Sequence, residues 1–346
     1  MPITIRDVAK HAGVAPSTVS RVIANSNRIS QRTKEKVFQS MKELGYHPNY
    51  NARSLAVKNT KCLGIIMPRS TEEAFQNPFF PEVIRGISVC ANEKGYALFL
   101  STGGNEEQHR EAVVDMVQGR RVDGVISLYT KVDDPLVEYL SDQDFPFVVV
   151  GQPYNDKLKI SYVDNDNVQA AKEATEHLIK LGHRHIGFVG GSIDLLVTRN
   201  RLIGYRQALE EAGMAYDESL AIHESFLQEG GYKAMVELLR NDNPPTALLV
   251  IDDVMALGVI SALSEIGISV PQQVSVVSMN DVPIAKVSSP PLTTVNIGIY
   301  DLGYQATKKL LKWVEEDEPD FTPTIVEHQL MVRHSTAKRQ TESQNV

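Results

Sequence analysis

Cysteine is scarce in this sequence: Cys62 and Cys90 are the only two among 346 residues. Two cysteines at this separation form neither a disulfide framework nor the C-x-x-C pair of a zinc or redox site. The composition therefore argues against a small disulfide-stabilised secreted domain and indicates a reducing, cytoplasmic environment.

Long apolar runs are also missing, because no strongly apolar stretch approaches the roughly 18 residues that a transmembrane helix needs. The N-terminus has the pattern of a capped helix and lacks that of an export signal with a charged start and an apolar centre. We therefore expect a cytoplasmic protein without a membrane segment.

Patterns of catalytic, metal-binding and phosphate-binding residues are absent as well. The nine histidines are scattered, and since His183 and His185 alternate at the entry to a predicted strand, at most one of them can face a site. Residues 187–191 are rich in glycine but lack both G-x-G-x-x-G and the Walker lysine, which favours a tight turn. We expect no enzyme, no metal and no cofactor.

What the sequence does contain is an uneven distribution of charge. The first sixty residues carry ten Lys or Arg and three Asp or Glu, a net charge of +7; because the whole chain is −8, the other 286 residues carry −15. A small basic module is attracted to phosphate backbones whatever their sequence. On charge alone, a solvated basic surface without a partner remains the alternative.

Three short helices are predicted inside the basic segment. Each begins at a residue suited to the free backbone N–H groups of a first turn, and two of them end at a glycine. The signals at the starts are Thr4 with Asp7, Pro16 and Ser30, and those at the ends are Gly13 and Gly45.

The second of these helices has two faces of different chemistry. Its apolar stripe consists of Val19, Val22 and Ile23. Two short helices around a glycine turn, with polar and arginine side chains outward on the second, are typical of a helix-turn-helix that places this helix in a DNA major groove. The side chains predicted to face outward are Ser17, Thr18, Ser20 and Arg21.

Residues 49–56, which follow the three helices, have almost no apolar face. One turn of helix here leaves Leu55 exposed beside Arg53, and an exposed leucine next to a basic residue suits a wedge between base steps in a minor groove. The alternative is an ordinary interdomain tether with one incidental leucine.

Beyond residue 61, short apolar runs alternate with amphipathic segments, and the cycle begins again near residue 162. This alternation predicts parallel sheets with helices on both faces, and 286 residues suffice for two such subdomains with a ligand cleft between them. The predicted strands are 62–67, 96–100, 124–128, 147–150, 186–189, 247–251 and 274–278. The predicted helices are 82–92, 108–118, 167–181, 201–212, 230–240 and 254–265.

Candidate ligand contacts occur where strands end and helices begin. Phe79 and Phe80 follow the first strand and can stack on the apolar face of a sugar, although packing in the core is an equal alternative. Asp252 with Asp253, and Asn280 with Asp281, each end a strand, so their side chains converge where hydroxyl groups could be bound. One of these four is expected to serve as a helix cap.

Several stretches together resemble the LacI and GalR family of sugar-responsive repressors, and the resemblance extends over nearly the whole chain. The head stretches are TIRDVAKHAGV at 4–14, STVSRV at 17–22, GYHPN at 45–49 and ARSL at 52–55. The body stretches are RVDG at 121–124, LGHR at 181–184, PPTA at 244–247 and PLTT at 291–294.

The resemblance implies roles for particular residues. It implies that Pro16, Ser17 and Arg21 read bases, Arg21 through a guanidinium that can bond two acceptors of a guanine. It further implies that Leu55 is the minor-groove lever, in a segment that becomes helical mainly on the operator. The resemblance also implies that four residues hold phosphates: Thr4, Thr18, Ser30 and Thr33. The other DNA contacts implied are Asn49 and Arg53, and the effector contacts added are Arg201 and Phe226.

The block at 77–87 and the Asn280-Asp281 pair look most like repressors of maltose and maltodextrin operons. Many relatives have an acid at the position of Asn280, so here an amide replaces the carboxylate that binds a sugar hydroxyl, and the first acid becomes Asp281. Arg201 could alternatively form an interdomain salt bridge.

The predicted fold is therefore an N-terminal helix-turn-helix head with a hinge helix, followed by a periplasmic-binding-protein-like body of two doubly wound α/β subdomains. We expect a homodimeric repressor of a sugar operon that a neutral sugar, maltose or a maltodextrin, releases from operator DNA. The alternatives are a catabolite regulator with a phosphorylated carrier protein as corepressor, and a sugar-binding transport protein. The predicted boundaries are 1–48 for the head, 49–60 for the hinge, 61–162 with about 293–322 for the first subdomain, 163–292 with about 323–340 for the second, and 341–346 for a polar tail.

Overall fold

The computed structural model describes residues 3–24, 26–47, 59–68, 71–101, 106–154 and 159–339. The chain divides into two compact units, Met1–Lys61 and Cys62–Val346. Three of the predicted DNA contacts, Asn49, Arg53 and Leu55, lie outside the described residues, as does the predicted tail at 341–346.

The first unit contains the three predicted helices: α1 (Ile5–Ala12), α2 (Pro16–Ile23) and α3 (Gln31–Leu44). Gly13 and Gly45 follow α1 and α3 with φ of 61° and 64°, a left-handed conformation that a residue without Cβ adopts without strain. Ser30 accepts a hydrogen bond from the backbone N–H of Thr33 and thereby caps α3. The predicted starts and stops are confirmed. The buried core of this unit consists of Val8, Ala9, Ala12, Val19, Val22, Val37 and Met41.

The second unit contains two six-stranded sheets with helices between the strands. Its strands are β1 (Cys62–Ile66), β2 (Ala97–Ser101), β3 (Gly124–Ser127), β4 (Phe147–Val150), β5 (Ser161–Asp164), β6 (Ile186–Gly190), β7 (Ala221–His223), β8 (Ala247–Val250), β9 (Ser275–Asn280), β10 (Thr293–Asn296), β11 (Thr324–Ile325) and β12 (Gln329–Met331). Its α-helices are α4 (Thr71–Gln76), α5 (Phe79–Glu93), α6 (Glu106–Gln118), α7 (Pro135–Asp142), α8 (Asn167–Lys180), α9 (Leu196–Glu211), α10 (Gln228–Leu238), α11 (Asp253–Glu265), α12 (Pro283–Val287) and α13 (Ile299–Glu316).

The strand order in the first sheet is β11-β5-β4-β3-β1-β2, and every pair is parallel. In the second sheet the order is β12-β10-β9-β8-β6-β7, parallel except for the edge strand β12, which runs antiparallel to β10. In each sheet the winding direction reverses beside one strand, β1 in the first and β6 in the second. The predicted pair of doubly wound α/β subdomains is therefore confirmed, and ligands of such sheets bind beyond the carboxyl ends of the strands.

The subdomain boundaries differ from the predicted ones by a few residues. The first sheet includes β5 and therefore extends to Asp164, past the predicted end at 162. β10 belongs to the second sheet and β11 to the first, so the predicted crossings near 293 and 322 move to the segments after Asn296 and after Ile325. The prediction was displaced because both strands are short and contain few apolar residues, so neither gives an apolar run of strand length in the sequence.

One predicted helix start was wrong. Helix α9 begins at Leu196, five residues before the predicted start at Arg201. Its N-cap residue, Leu195, has no side chain that can accept a hydrogen bond, so the usual capping signal is missing from the sequence. Arg201 therefore lies in the second turn of α9 and not at its start.

Close backbone contact places helix α5 against α13. A Cβ added at Gly86 would lie 2.1 Å from the carbonyl oxygen of Tyr300, and one added at Gly303 would lie 2.1 Å from that of Val83. Because only glycine tolerates this approach, the pair determines how α5 lies on the first sheet and where its N-terminal Phe79 and Phe80 are held. Among the described residues, no helix has the length and apolar character needed to cross a lipid bilayer.

Candidate functional site

The outward face of helix α2 is open to solvent in the first unit. Pro16, Ser17, Ser20 and Arg21 are exposed and Thr18 is half-buried. The Arg21 guanidinium forms no hydrogen bond or ion pair with any described residue, and its N–H donors are of the kind that an external acceptor can use. This face is the one that the sequence assigned to base reading.

The predicted phosphate contacts lie near helix starts and are partly engaged within the unit. The Thr4 hydroxyl donates to the Asp7 carboxylate at 2.7 Å, and the Thr4 backbone N–H donates to the same oxygen at 2.9 Å. These hydrogen bonds lower the pKa of Asp7. The hydroxyls of Ser30 and Thr33 lie 2.9 Å apart and are exposed. Helix N-termini of this kind are suited to anions.

A cavity of about 740 Å³ lies in the second unit, between the two sheets and beyond the carboxyl ends of their strands. This is the position expected for the ligand of a doubly wound fold. Of the seven effector contacts predicted from the sequence, the cavity brings six together. They are Phe79, Phe80, Arg201, Phe226, Asp252 and Asn280.

The aromatic residues form one apolar part of the cavity wall. The rings of Phe79 and Phe80 meet edge to face, with centroids 5.2 Å apart. Both also pack against the core, so the two alternatives of the sequence analysis hold at once: each ring is partly core and partly cavity lining. Phe226 lies over Gly191, where an added Cβ would be 1.9 Å from its ring, so the glycine makes room for this aromatic.

Arg201 is a buried cation in the cavity wall, with only 3% of its surface exposed. Burial lowers its pKa to about 10, against the opposing charges of Asp252 and Asp164. Nε donates to Asn167 Oδ1 at 2.9 Å, Nη1 to the carbonyl of Ile251, and Nη2 to Asn280 Oδ1 at 3.4 Å. No ion pair of Arg201 is present among the described residues, so the alternative of an interdomain salt bridge is not the arrangement observed.

Asp252 is the helix cap expected among the four polar residues. Its Oδ1 accepts from the backbone N–H groups of Val254 at 2.7 Å and Met255 at 3.3 Å. Its Oδ2 accepts from the side-chain amides of Asn77 and Asn280, each at 2.9 Å. Burial raises the pKa of Asp252, and these hydrogen bonds oppose the effect.

Asp281 does not line the cavity, which corrects the prediction that it replaces the usual acid there. Its carboxylate pairs with Arg333 at 2.6 Å and accepts from the Asn296 amide at 3.1 Å. The backbone has positive φ at both Asn280 and Asp281, 108° and 53°, and this turn directs consecutive side chains to different surroundings. Spacing along the sequence carries no information about such a turn.

The neighbouring acid Asp253 is also structural. Its carboxylate accepts from Thr294 Oγ1 at 2.7 Å, from the backbone N–H of Val282 at 2.8 Å and from Ser278 Oγ, which joins the ends of β8, β9 and β10. Burial raises its pKa to about 7 despite these hydrogen bonds.

Several polar cavity residues were not predicted. Asp164 is the last residue of β5, and burial raises its pKa to about 6 although Gln152 and Asn167 donate to it, each at 2.9 Å. A signal was present, because residues 164–167 form a run of Asp and Asn after an apolar strand, but the strand itself was not predicted. The other missed polar or aromatic lining residues are Asn77, Tyr129, Thr130, Lys131, Asn165, Asn167, Ser192, Asp194, His223, Glu224 and Ser225.

The sequence matches two family models. Residues 4–49 match the model described as bacterial regulatory proteins, lacI family, and residues 175–336 match the periplasmic binding protein-like domain. The chain is 45% identical over 272 residues to the HTH-type transcriptional regulator MalR of Streptococcus pneumoniae serotype 4, an alignment that covers 78% of this chain and 82% of that protein.

Solved structures of similar proteins extend the comparison over nearly the whole chain. A complex of the transcriptional regulator CelR with cellobiose is 34% identical, with a TM-score of 0.76 over 96% of this chain and 99% of that one. The lac repressor dimer bound to operator and the anti-inducer ONPF is 27% identical, with a TM-score of 0.84 over 97% and 100%. A probable maltose operon transcriptional repressor, malR, of Staphylococcus aureus is 28% identical, with a TM-score of 0.74 over 81% and 99%.

Proposed function

The chain belongs to the lacI family of bacterial regulatory proteins, and we propose that it represses a sugar-utilisation operon and leaves the operator when maltose or a maltodextrin occupies its cleft. It is a DNA-binding transcriptional regulator, and this family membership decides against the transport-protein alternative, which has no use for a helix-turn-helix head. The relatives named for a maltose operon and for cellobiose support a disaccharide effector.

The proposal for operator recognition is supported by the exposed face of α2. Arg21 has no partner among the described residues, and Pro16 and Ser17 stand exposed on the turn before it. A guanidinium held on a short helix can donate two hydrogen bonds to one guanine, whereas Pro16 and Ser17 can only contribute contact and a single hydrogen bond. Thr4, Thr18, Ser30 and Thr33 are proposed to hold phosphates, with Asn49, Arg53 and Leu55 as minor-groove contacts.

The observation that carries the sugar proposal is the chemistry of the cavity wall. Of the five N–H groups of Arg201, three donate to residues described in the structure, which leaves two for ligand hydroxyls. Asp164 supplies acceptor capacity beside them, and the faces of Phe79, Phe80 and Phe226 can cover the C–H side of a sugar ring. Hydrogen-bond donors and acceptors beside aromatic rings suit the hydroxyl groups and the apolar ring face of a sugar.

The charge of the cavity favours a neutral ligand. The cations that line it, Arg201 and Lys131, are accompanied by the carboxylates of Asp164, Asp194, Glu224 and Asp252. An anionic ligand such as a sugar phosphate would bring further negative charge to a wall that already holds more acids than bases. At about 740 Å³ the cavity also exceeds what a single hexose ring fills, because sites of roughly 300–1,000 Å³ enclose drug-sized molecules.

The proposal is tested with the full chain in two measurements. In calorimetry against maltose, maltotriose, cellobiose, glucose and glucose 6-phosphate, we expect heat for the maltose series and none for the phosphate. In an anisotropy titration with genomic fragments, the protein should bind one fragment in the presence of bulk competitor DNA, and maltose should weaken that binding. A response to another neutral sugar would discard maltose alone, whereas a response only to a phosphorylated carrier protein would replace the sugar with the corepressor alternative.

A further inference from the structure

The two subdomains are joined across the cleft by a buried hydrogen bond between side chains. Asn77 lies between α4 and α5 in the first subdomain and is 4% exposed. Its Nδ2 donates to Asp252 Oδ2 in the second subdomain at 2.9 Å, and to the backbone carbonyl of Phe226 at 3.3 Å. Its Oδ1 accepts from the backbone N–H of Phe79, which fixes the orientation of the amide.

The acceptor capacity of Asp252 is filled by the protein itself. A carboxylate offers about four lone-pair sites. Two N–H groups of helix α11 occupy Oδ1, and the amides of Asn77 and Asn280 occupy Oδ2. No site is left for a ligand hydroxyl while the Asn77 bond is made, so in this arrangement Asp252 does not act as a direct acceptor for a sugar.

The same carboxylate also orients the cavity donors. Because Asn280 points its Nδ2 at Asp252, its Oδ1 faces Nη2 of Arg201 at 3.4 Å. Asn167 receives Nε of Arg201 and donates to Asp164 of the first subdomain, so the hydrogen-bonded chain begins and ends in the first subdomain. Asn77 is therefore the first member of a continuous polar chain around the cleft.

We propose that Asn77 and Asp252 form a latch, a pair of positioning residues whose hydrogen bond adds to the backbone bonds of residues 130–132 with 194–196 in holding the two subdomains together before a sugar binds. This inference rests on the proposed function of the cleft as the effector site. The latch raises the population of the closed arrangement in the ligand-free protein, which lowers the free energy that the sugar must supply for closure. It thereby sets the sugar concentration at which the protein leaves its operator.

The chain offers a matched control for the latch. Asn200 on α9 donates to Gln152 of the first subdomain at 3.2 Å, so this pair also bridges the cleft through a side-chain amide. It is exposed, and neither residue lines the cavity. Water can replace such a bond at little cost, whereas the buried bond to a carboxylate has no replacement.

The test uses small-angle scattering of the ligand-free full chain and calorimetry with maltose on four variants: Asn77→Ala, Asn77→Asp, the double exchange Asn77→Asp with Asp252→Asn, and Asn200→Ala. Asn77→Asp places two carboxylates together and should enlarge the radius of gyration without sugar. It should also weaken maltose binding by about tenfold to a hundredfold, the range for one hydrogen bond to a charged group. Asn77→Ala should act in the same direction.

The double exchange should move both readings back towards wild type, because it restores one donor facing one carboxylate, and Asn200→Ala should leave both near wild type. Wild-type scattering from Asn77→Asp, or a double exchange that stays as open as Asn77→Asp, would overturn the latch. If wild type binds no sugar at all, the proposed function fails, while the scattering comparison still decides whether the latch exists.

Discussion

The carboxylate of Asp281 accepts a hydrogen bond from Arg333 at 2.6 Å, and neither residue lines the cavity. Its neighbour Asn280 enters the cavity and donates to Asp252 instead. The amide at position 280 is therefore not accompanied in the cavity by the next acid along the chain. The carboxylates that do line the cavity are those of Asp164, Asp194, Glu224 and Asp252, which lie at or after the ends of other strands.

Replacing Arg21 with alanine should weaken operator binding and relax discrimination at one base pair. The loss expected for a bidentate contact with guanine is about 1–3 kcal/mol. Anisotropy titrations with the operator and with its single-base variants measure both effects. Lys42→Ala, on the exposed side of α3, serves as the control. An equal loss on random DNA would show that Arg21 contacts only phosphate.

Operator affinity should fall steeply with salt, because the first sixty residues carry a net charge of +7 on a chain that is otherwise acidic. Each phosphate neutralised contributes a slope of about −0.9 in a plot of log affinity against log salt. A titration between 50 and 200 mM salt, at roughly the concentrations where this effect is large, provides the slope. A flat titration would contradict the electrostatic role of the head.

Leu55→Ala should reduce bending of the operator and affinity for it, while affinity for sugar stays unchanged. A leucine inserted between two base pairs costs unstacking free energy, but it bends the duplex so that more of the DNA contacts the protein. Gel mobility of circularly permuted operator fragments measures the bend. Asn51→Ala in the same segment is the control, and an unaltered bend with Leu55→Ala would remove the lever from the mechanism.

Arg201→Lys should weaken sugar binding by roughly tenfold to a hundredfold, since an ammonium group cannot reproduce the planar donors that hold Asn167, Asn280 and ligand hydroxyls together. Operator binding without sugar should remain. Calorimetry with maltose measures the first effect and anisotropy the second. Arg206→Lys is a matched control on the same helix, because Arg206 stacks on Tyr216 at 3.9 Å and lies outside the cavity.

The stability of the body should depend on pH through Asp253. Burial raises the pKa of this carboxyl to about 7, above its value of 3.8 in the unfolded chain. The folded state therefore binds the Asp253 proton more tightly than the unfolded chain does. The stabilisation that this proton gives the folded state is complete below about pH 4 and is lost as the pH rises to about 7. Asp164, with a pKa of about 6, acts in the same direction.

Asp253→Asn removes this titration, so the difference in urea midpoint between wild type and variant should change across that window and stay constant above pH 8. The comparison of the two proteins cancels exposed groups such as Asp320, whose lowered pKa of about 2 acts in the opposite direction at more acidic pH. Parallel midpoint curves for the two proteins from pH 4 to 8 would contradict the prediction.

Local signals in the sequence predicted much of this fold. Gly13, Gly45, Pro16 and Ser30 mark helix ends through properties of single residues, such as a missing Cβ or a capping oxygen, and the structure confirms each of them. Buried strands such as β4 were predicted because a short, continuous apolar run between turn residues is typical of a strand covered on both faces. The start of α9 was predicted wrongly because its N-cap residue, Leu195, has no side-chain oxygen that could mark the helix start in the sequence.

The sequence by itself determined the basic head, its helix ends, the alternation of strands and helices, and six of the residues that surround the cavity. These properties depend on chemistry within a few residues along the chain. Only the tertiary structure decided that Asp252 binds Asn77 from the other subdomain, 175 residues away in sequence, and that Asp281 turns to Arg333. A hydrogen bond needs two groups within about 3 Å and correctly oriented, and that geometry arises only when distant strand ends are brought together by the packed sheets.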